Sequence, residues 1–144
     1  MENTTIGRVV VTAKIENLRD LYSVEQHTLT PDQVRGVEVP TALADTGATF
    51  LSLPLPLIEQ LGLKRYRTRR AKTAAGDVDT GMYEAVRLTI QGRDCTAEVA
   101  EVHKDARVLI GQIPLEALDF VVDPVGQKLI GNPEHGGEQM IELY

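Results

Sequence analysis

The residues best suited to chemistry are Asp45, Thr46, Gly47 and Ala48, which follow the apolar run Ala42-Leu43-Ala44. A carboxylate at the end of an apolar strand is costly unless hydrogen bonds or a partner charge hold it. Gly47 lets the backbone turn sharply and aim its N–H at that carboxylate. The Thr46 hydroxyl can brace the loop, and Ala48 is small enough to leave room for a partner group. A carboxylate held in this way is suited to general acid–base work on a bound substrate. A second Asp-Thr-Gly occurs at Asp79-Thr80-Gly81. It lacks the apolar approach and reads as a hairpin or turn motif.

The elements that must position Asp45 follow from periodicity. Val9, Val11, Ala13 and Ile15 alternate with polar residues and predict a half-buried strand. Residues 17–35 are polar and predict a loop with a short helix starting at Thr30-Pro31. Strands are expected over 37–44, with an edge or bulge at Pro40, and over 49–53. Leu57, Ile58 and Leu61 have helical spacing, with Gly62 as the stop. Residues 65–83 are weakly apolar and predict a projecting hairpin with Ala74, Ala75 and Gly76 near its tip. Val86, Leu88 and Ile90, then Cys95, Ala97 and Val99, form two further strands around a turn at 91–94. Leu109-Ile110-Gly111 is a short apolar strand, and a short helix follows over 114–118. Strands at 120–122 and 128–130 flank a turn, and 140–144 is a candidate last strand. The sum is an all-β fold, a small barrel with two or three short helices.

These motifs, in this order, resemble the retropepsin-like aspartic proteases. Asp45-Thr46-Gly47-Ala48 matches the active-site loop of that family. Residues 73–83 look like its flap, and Leu109-Ile110-Gly111 with 114–118 looks like its late apolar-glycine strand and helix. The resemblance implies a small closed barrel of the retropepsin-like type with a flap hairpin. It implies catalysis by Asp45, support from Thr46, Gly47 and Ala48, substrate contact by Ala74, Ala75 and Gly76, and a structural role for Leu109, Ile110 and Gly111. The resemblance implies an aspartic endopeptidase on polypeptide substrate, without cofactor or metal, in which two carboxylates share one proton. Asp79 lies too near Asp45 in sequence to head a second half-barrel, so Asp45 of each copy of a homodimer is expected to supply one. The rival is a catalytically inactive retropepsin-like module for dimerisation or peptide binding. One domain over 1–144 is expected, with the core at about 37–131, an insertion at 17–35 and a possible dimerisation strand at 138–144. The whole looks more like a cellular or bacterial member than a processed viral one.

Composition narrows the rest. A formal charge of −6 over 144 residues argues against general nucleic-acid affinity. The basic run from Lys64 to Lys72 is expected to be a solvated strand leading into the flap. The other readings are a nucleic-acid patch and a selector for acidic substrate segments. One cysteine, Cys95, excludes an intrachain disulfide and is expected to be a buried free thiol. No apolar run has the length of a membrane span, and Met1-Glu2-Asn3-Thr4-Thr5 has no signal-peptide pattern, so a cytoplasmic location without membrane contact is expected. His27, His103 and His135 share no metal-ligand spacing and are expected at the surface.

Overall fold

A computed structural model describes residues 8–123 and 125–143. Strand β1 (Arg8–Asn17) leads into helix α1 (Leu18–Glu25) and a 3-10 turn (Pro31–Gln33), then β2 (Gly36–Asp45), β3 (Leu51–Pro54) and α2 (Leu55–Gln60). Strands β4 (Arg65–Thr73), β5 (Gly76–Ile90), β6 (Arg93–Val102) and β7 (Leu109–Ile110) follow. Helix α3 (Gln112–Leu118), strands β8 (Phe120–Asp123) and β9 (Lys128–Gly131) and a second 3-10 turn (Pro133–His135) complete the order.

The main sheet runs β1-β2-β7-β3-β6-β5-β4, and β1 also pairs with β5. That extra pairing closes β1, β2, β7, β3, β6 and β5 into a ring and leaves β4 outside it, hanging from β5. The fold is all-β, as the sequence predicts. The alternation in β1 turns Val9, Val11, Ala13 and Ile15 inward, where they meet Leu51, Leu53, Leu88 and Ile110 in one core. Closing the ring satisfies the sheet edges that an open sheet of this size would expose.

Pro40 sits where its chemistry demands. The β1–β2 register passes from Val11↔Ala42 to Ala13↔Val39, so β2 holds one extra residue there. A bulge absorbs the proline, which has no N–H to give the ladder. The expected hairpin at 65–83 is formed by β4 and β5 around a two-residue turn at Ala74-Ala75. Gly76 follows at φ +112°, a backbone region that side chains other than glycine's rarely enter. The Thr73 hydroxyl donates to Gly76 O at 2.8 Å and accepts from the Ala75 N–H at 3.1 Å, locking the tip.

Several expectations are corrected. The helix of the 17–35 segment lies at its start, in α1, and Thr30-Pro31 opens only a single 3-10 turn. The cause is Asn17, wholly buried, whose Oδ1 accepts the Asp20 N–H at 3.0 Å while its Nδ2 donates to Leu61 O at 2.7 Å. Arg35 returns the segment to the barrel. Its Nε, Nη2 and backbone N–H all donate to the Asp20 carboxylate at 2.9–3.0 Å. The Arg35 guanidinium holds Asp20 below the usual carboxylate range. Strand β3 begins at Leu51, two residues later than expected. Asp79-Thr80-Gly81 belongs to the hairpin, one of its two expected settings, and lies within strand β5 rather than in a turn. Residues 140–143 form no strand within one chain, and Tyr144 lies outside the described residues. The Met140 N–H instead donates to Asp119 Oδ2 at 3.0 Å.

Candidate active site

Asp45 is the last residue of β2, and the ladder explains its place. Ala42 and Ala44 are fully buried, and Asp45 itself is 8 % exposed. The chain then leaves the sheet through Thr46 and Gly47, both exposed, and half-buried Ala48. The Gly47 N–H donates to Asp45 Oδ1 at 2.9 Å, and the Ala48 N–H donates to Asp45 O at 3.1 Å. This is the hydrogen bond the sequence predicts for Gly47. It fixes the orientation of the carboxylate.

Strand β7 holds the loop from beneath. It runs parallel to β2 (Leu43↔Leu109, Ala44↔Ile110) and antiparallel to β3 (Leu51↔Ile110, Ser52↔Leu109). The two arms of the Asp45 loop therefore straddle Leu109-Ile110. Gly111 then packs against the loop itself. A Cβ there would lie 2.6 Å from Phe50 O and 2.8 Å from the Ala48 carbonyl carbon. Only glycine fits, and the contact is with backbone that cannot swing away. The N–H groups of Gly111, Gln112 and Ile113 donate to Phe50 O (3.0 Å), Ala48 O (2.8 Å) and Thr49 O (3.0 Å). The start of α3, whose first N–H groups have no partner within the helix, is thus satisfied by the carbonyls of the loop. Two motifs sixty-odd residues apart in sequence form one structural unit.

The hairpin meets this unit along its first strand. The Arg69 guanidinium lies over the Phe50 ring, 5.3 Å from its centroid. The tip residues Ala74, Ala75 and Gly76 are exposed, and among the described residues no hydrogen bond joins them to the Asp45 loop. A single chain brings together Asp45, Gly47, Ala48 and Gly111 and leaves the tip apart.

Sequence reasoning missed Arg8. Its Nη2 is 3.2 Å from Asp45 Oδ2, with the Arg8 side chain 53 % exposed and that of Asp45 12 %. The pairing comes from register, since Arg8 stands opposite Asp45 on β1. That register passes through the bulge, so counting residues from the sequence does not find it. Among the described residues no second carboxylate is hydrogen-bonded to Asp45.

The other singled-out residues lie elsewhere. Asp79, 65 % exposed, pairs with Arg70 at 3.3 Å on the hairpin. Cys95 is half-buried rather than buried, and desolvation pushes its thiol up to about 11, so it is a poor nucleophile near neutral pH. His135 is not a surface histidine. Its Nδ1 lies 2.6 Å from Asp119 Oδ2 and its Nε2 2.9 Å from Glu142 Oε2, and these hydrogen bonds raise its pKa. Among the described residues no cluster of three or more His, Cys, Asp or Glu side chains is arranged to hold a metal ion, and no helix is long and apolar enough to cross a membrane.

The model of a family described as aspartyl protease matches residues 31–113, more than half of the chain. The matched span runs from the turn before β2 to the second residue of α3 and so contains the Asp45 loop, the hairpin and β7. No curated protein matches the chain.

Proposed function

This chain belongs to the aspartyl protease family, and from that premise we propose that it is an endopeptidase in which Asp45 supplies one carboxylate of a dyad and a second copy supplies the other. The observation that carries the reading is the setting of Asp45. It is a nearly buried acid whose Oδ1 is held by the Gly47 N–H, on a loop locked by Gly111, and among the described residues no second acid is hydrogen-bonded to it. A dyad needs two carboxylates close enough to share a proton. The described residues of one chain offer one at this site, so a closed two-fold assembly is the simplest way to complete it. In that assembly the ionised Asp45 activates water and the protonated Asp45 donates to the peptide carbonyl. The β4–β5 hairpin, with Ala74, Ala75 and Gly76 at its tip, covers an extended polypeptide.

The test is peptide-library cleavage across pH by wild type and Asp45→Asn, with sedimentation to read oligomeric state. Cleavage by a dimer that the substitution abolishes is the expected result. Full activity in Asp45→Asn, or activity in a strict monomer, defeats the reading. One observation favours a second reading, a binding module without turnover: the Arg8 guanidinium already lies 3.2 Å from Asp45 Oδ2. In that case wild type cuts no peptide at any pH, and Arg8→Gln does not restore cutting.

A further inference from the structure

The hairpin has two unlike faces. Residues paired across an antiparallel ladder share a face, and faces alternate along each strand. The pairs Thr68↔Gly81, Arg70↔Asp79 and Lys72↔Asp77 therefore lie on one face, and Arg67↔Met82, Arg69↔Thr80 and Ala71↔Val78 on the other. On the first face the charges are matched. Arg70 pairs with Asp79 at 3.3 Å and Asp77 at 3.8 Å, and Lys72 pairs with Asp77 at 3.6 Å. On the second face the cations have no carboxylate partner among the described residues. Arg67 lies over the Tyr66 ring at 4.9 Å and Arg69 over the Phe50 ring at 5.3 Å. Glu98 accepts from the Tyr66 hydroxyl and Glu101 from the Tyr83 hydroxyl. Contact with Phe50, five residues beyond Asp45, shows that this second face is the one turned toward the Asp45 loop.

We propose that Arg67 and Arg69 form an anionic subsite on the inner face of the hairpin, so that the preferred polypeptide carries Asp or Glu where it passes under β4. The proposal rests on the reading of Asp45 as half of a peptidase site. A guanidinium stacked on a ring keeps its planar N–H edge turned outward, ready for bidentate contact with a carboxylate. Ala71 and half-exposed Val78 give the same face an apolar stretch nearer the tip. The chain as a whole carries −6, so attraction of an acidic peptide must come from this local pair and must fade as salt screens it.

The test uses Asp45→Asn in the full chain, so that peptides bind without being cut. Fluorescence anisotropy compares a peptide bearing Asp and Glu with its Asn and Gln counterpart at low and high salt. The acidic peptide is expected to bind about tenfold tighter at low salt. Adding Arg67→Gln with Arg69→Gln should remove that preference, and adding Arg70→Gln with Lys72→Gln should leave it. Equal binding of the two peptides, binding of neither at millimolar concentration, or equal loss in both double variants overturns the proposal. So does a single-stranded oligonucleotide that displaces the acidic peptide, which would make the face a nucleic-acid site. Wild-type cleavage is scored in parallel. Acid-selective binding without any cleavage defeats the peptidase reading and keeps the subsite, whereas cleavage indifferent to acidic residues does the reverse.

Discussion

Asp-Thr-Gly occurs twice in this chain, and the two copies differ in everything except their letters. At Asp45 the acid ends a buried strand, its side chain is 12 % exposed, and its Oδ1 takes the Gly47 N–H. At Asp79 the acid is mid-strand on an exposed hairpin, 65 % exposed, and paired with an equally exposed Arg70. Thr46 opens a turn, while the Thr80 hydroxyl donates to Glu101 O at 2.6 Å and ties β5 to β6. What makes the first triplet a candidate site is the scaffold beneath it. β7 and Gly111 have no counterpart beneath the second.

The comparison breaks most directly through the two acids. Asp45→Asn should lower peptide cleavage by about a thousandfold or more, the scale of losing a general acid–base group. Asp79→Asn should change it by less than about twofold. A steady-state assay of both variants settles the matter, and equal losses would mean that both triplets serve the reaction.

The scaffold gives the next largest effect. In Gly111→Ala the new methyl would meet Phe50 O at 2.6 Å, a backbone atom with no room to move. The expected cost is about 3 kcal/mol in urea unfolding, the scale of overpacking at a fixed contact. In Gly81→Ala the methyl would meet the ends of the Arg65, Glu101 and Tyr83 side chains at 3.1–3.2 Å. Those can shift, so the cost should stay below about 1 kcal/mol. If the order reverses, the Asp45 loop is not held by Gly111.

How much of this the sequence tells depends on the range of each interaction. The alternation in β1, the apolar approach to Asp45 and the turn at Ala74-Ala75 are local and were readable, as was the bulge at Pro40. The Leu109-Ile110-Gly111 motif could be expected to matter. That it lies between the arms of the Asp45 loop follows only from sheet order, which one sequence does not contain. Arg8 opposite Asp45 depends on register through a bulge. Helix α1 was missed because its cap, Asn17, gains its worth from burial against Leu61 rather than from any local pattern. The setting of His135 is not legible in the sequence, because Asp119 and Glu142 reach it from segments sixteen residues before and seven residues after. The Asp79 triplet misled only in detail, since turn-prone residues were absorbed into a long strand whose ladder partners outweigh their local preference.

A third acid, Asp119, sharpens the contrast by showing a buried carboxylate that is saturated. It accepts from His135 Nδ1 (2.6 Å), the Met140 N–H (3.0 Å) and Asn132 Nδ2 (3.3 Å), and these bonds hold its pKa below the usual range. Glu142 and Asp119 raise that of His135. Arg93 faces the same cluster, donating to the backbone carbonyls of Leu118 and Asp119. A raised histidine pKa stabilises the clamp fully below the unfolded value of about 6.5, and the gain is lost as pH rises through the higher folded value. A depressed carboxylate pKa stabilises it above about 3.9, and that gain is lost as pH falls through the lower folded value. Amide exchange over 138–143, corrected for its intrinsic pH dependence, should therefore be slowest between about pH 4 and 6.5 and faster at alkaline pH. His135→Gln should flatten the alkaline limb, and an unchanged limb in that variant would separate the tail from this titration.

The smallest effect belongs to the ion pair at the second triplet. Arg70 and Asp79 are 71 % and 65 % exposed and 3.3 Å apart. Water and salt screen such a pair, and holding two mobile side chains costs entropy. Without Arg70, Asp79 remains in water and Asp77 keeps Lys72 at 3.6 Å, so no buried charge is stranded. Arg70→Gln should thus move the urea midpoint by no more than about 0.5 kcal/mol equivalent, with no change in cleavage rate. A larger shift would mean that the outer face of the hairpin is more rigidly held than its exposure implies. Asp79 would then be a structural anchor, and the gap between the two triplets would lie in function alone.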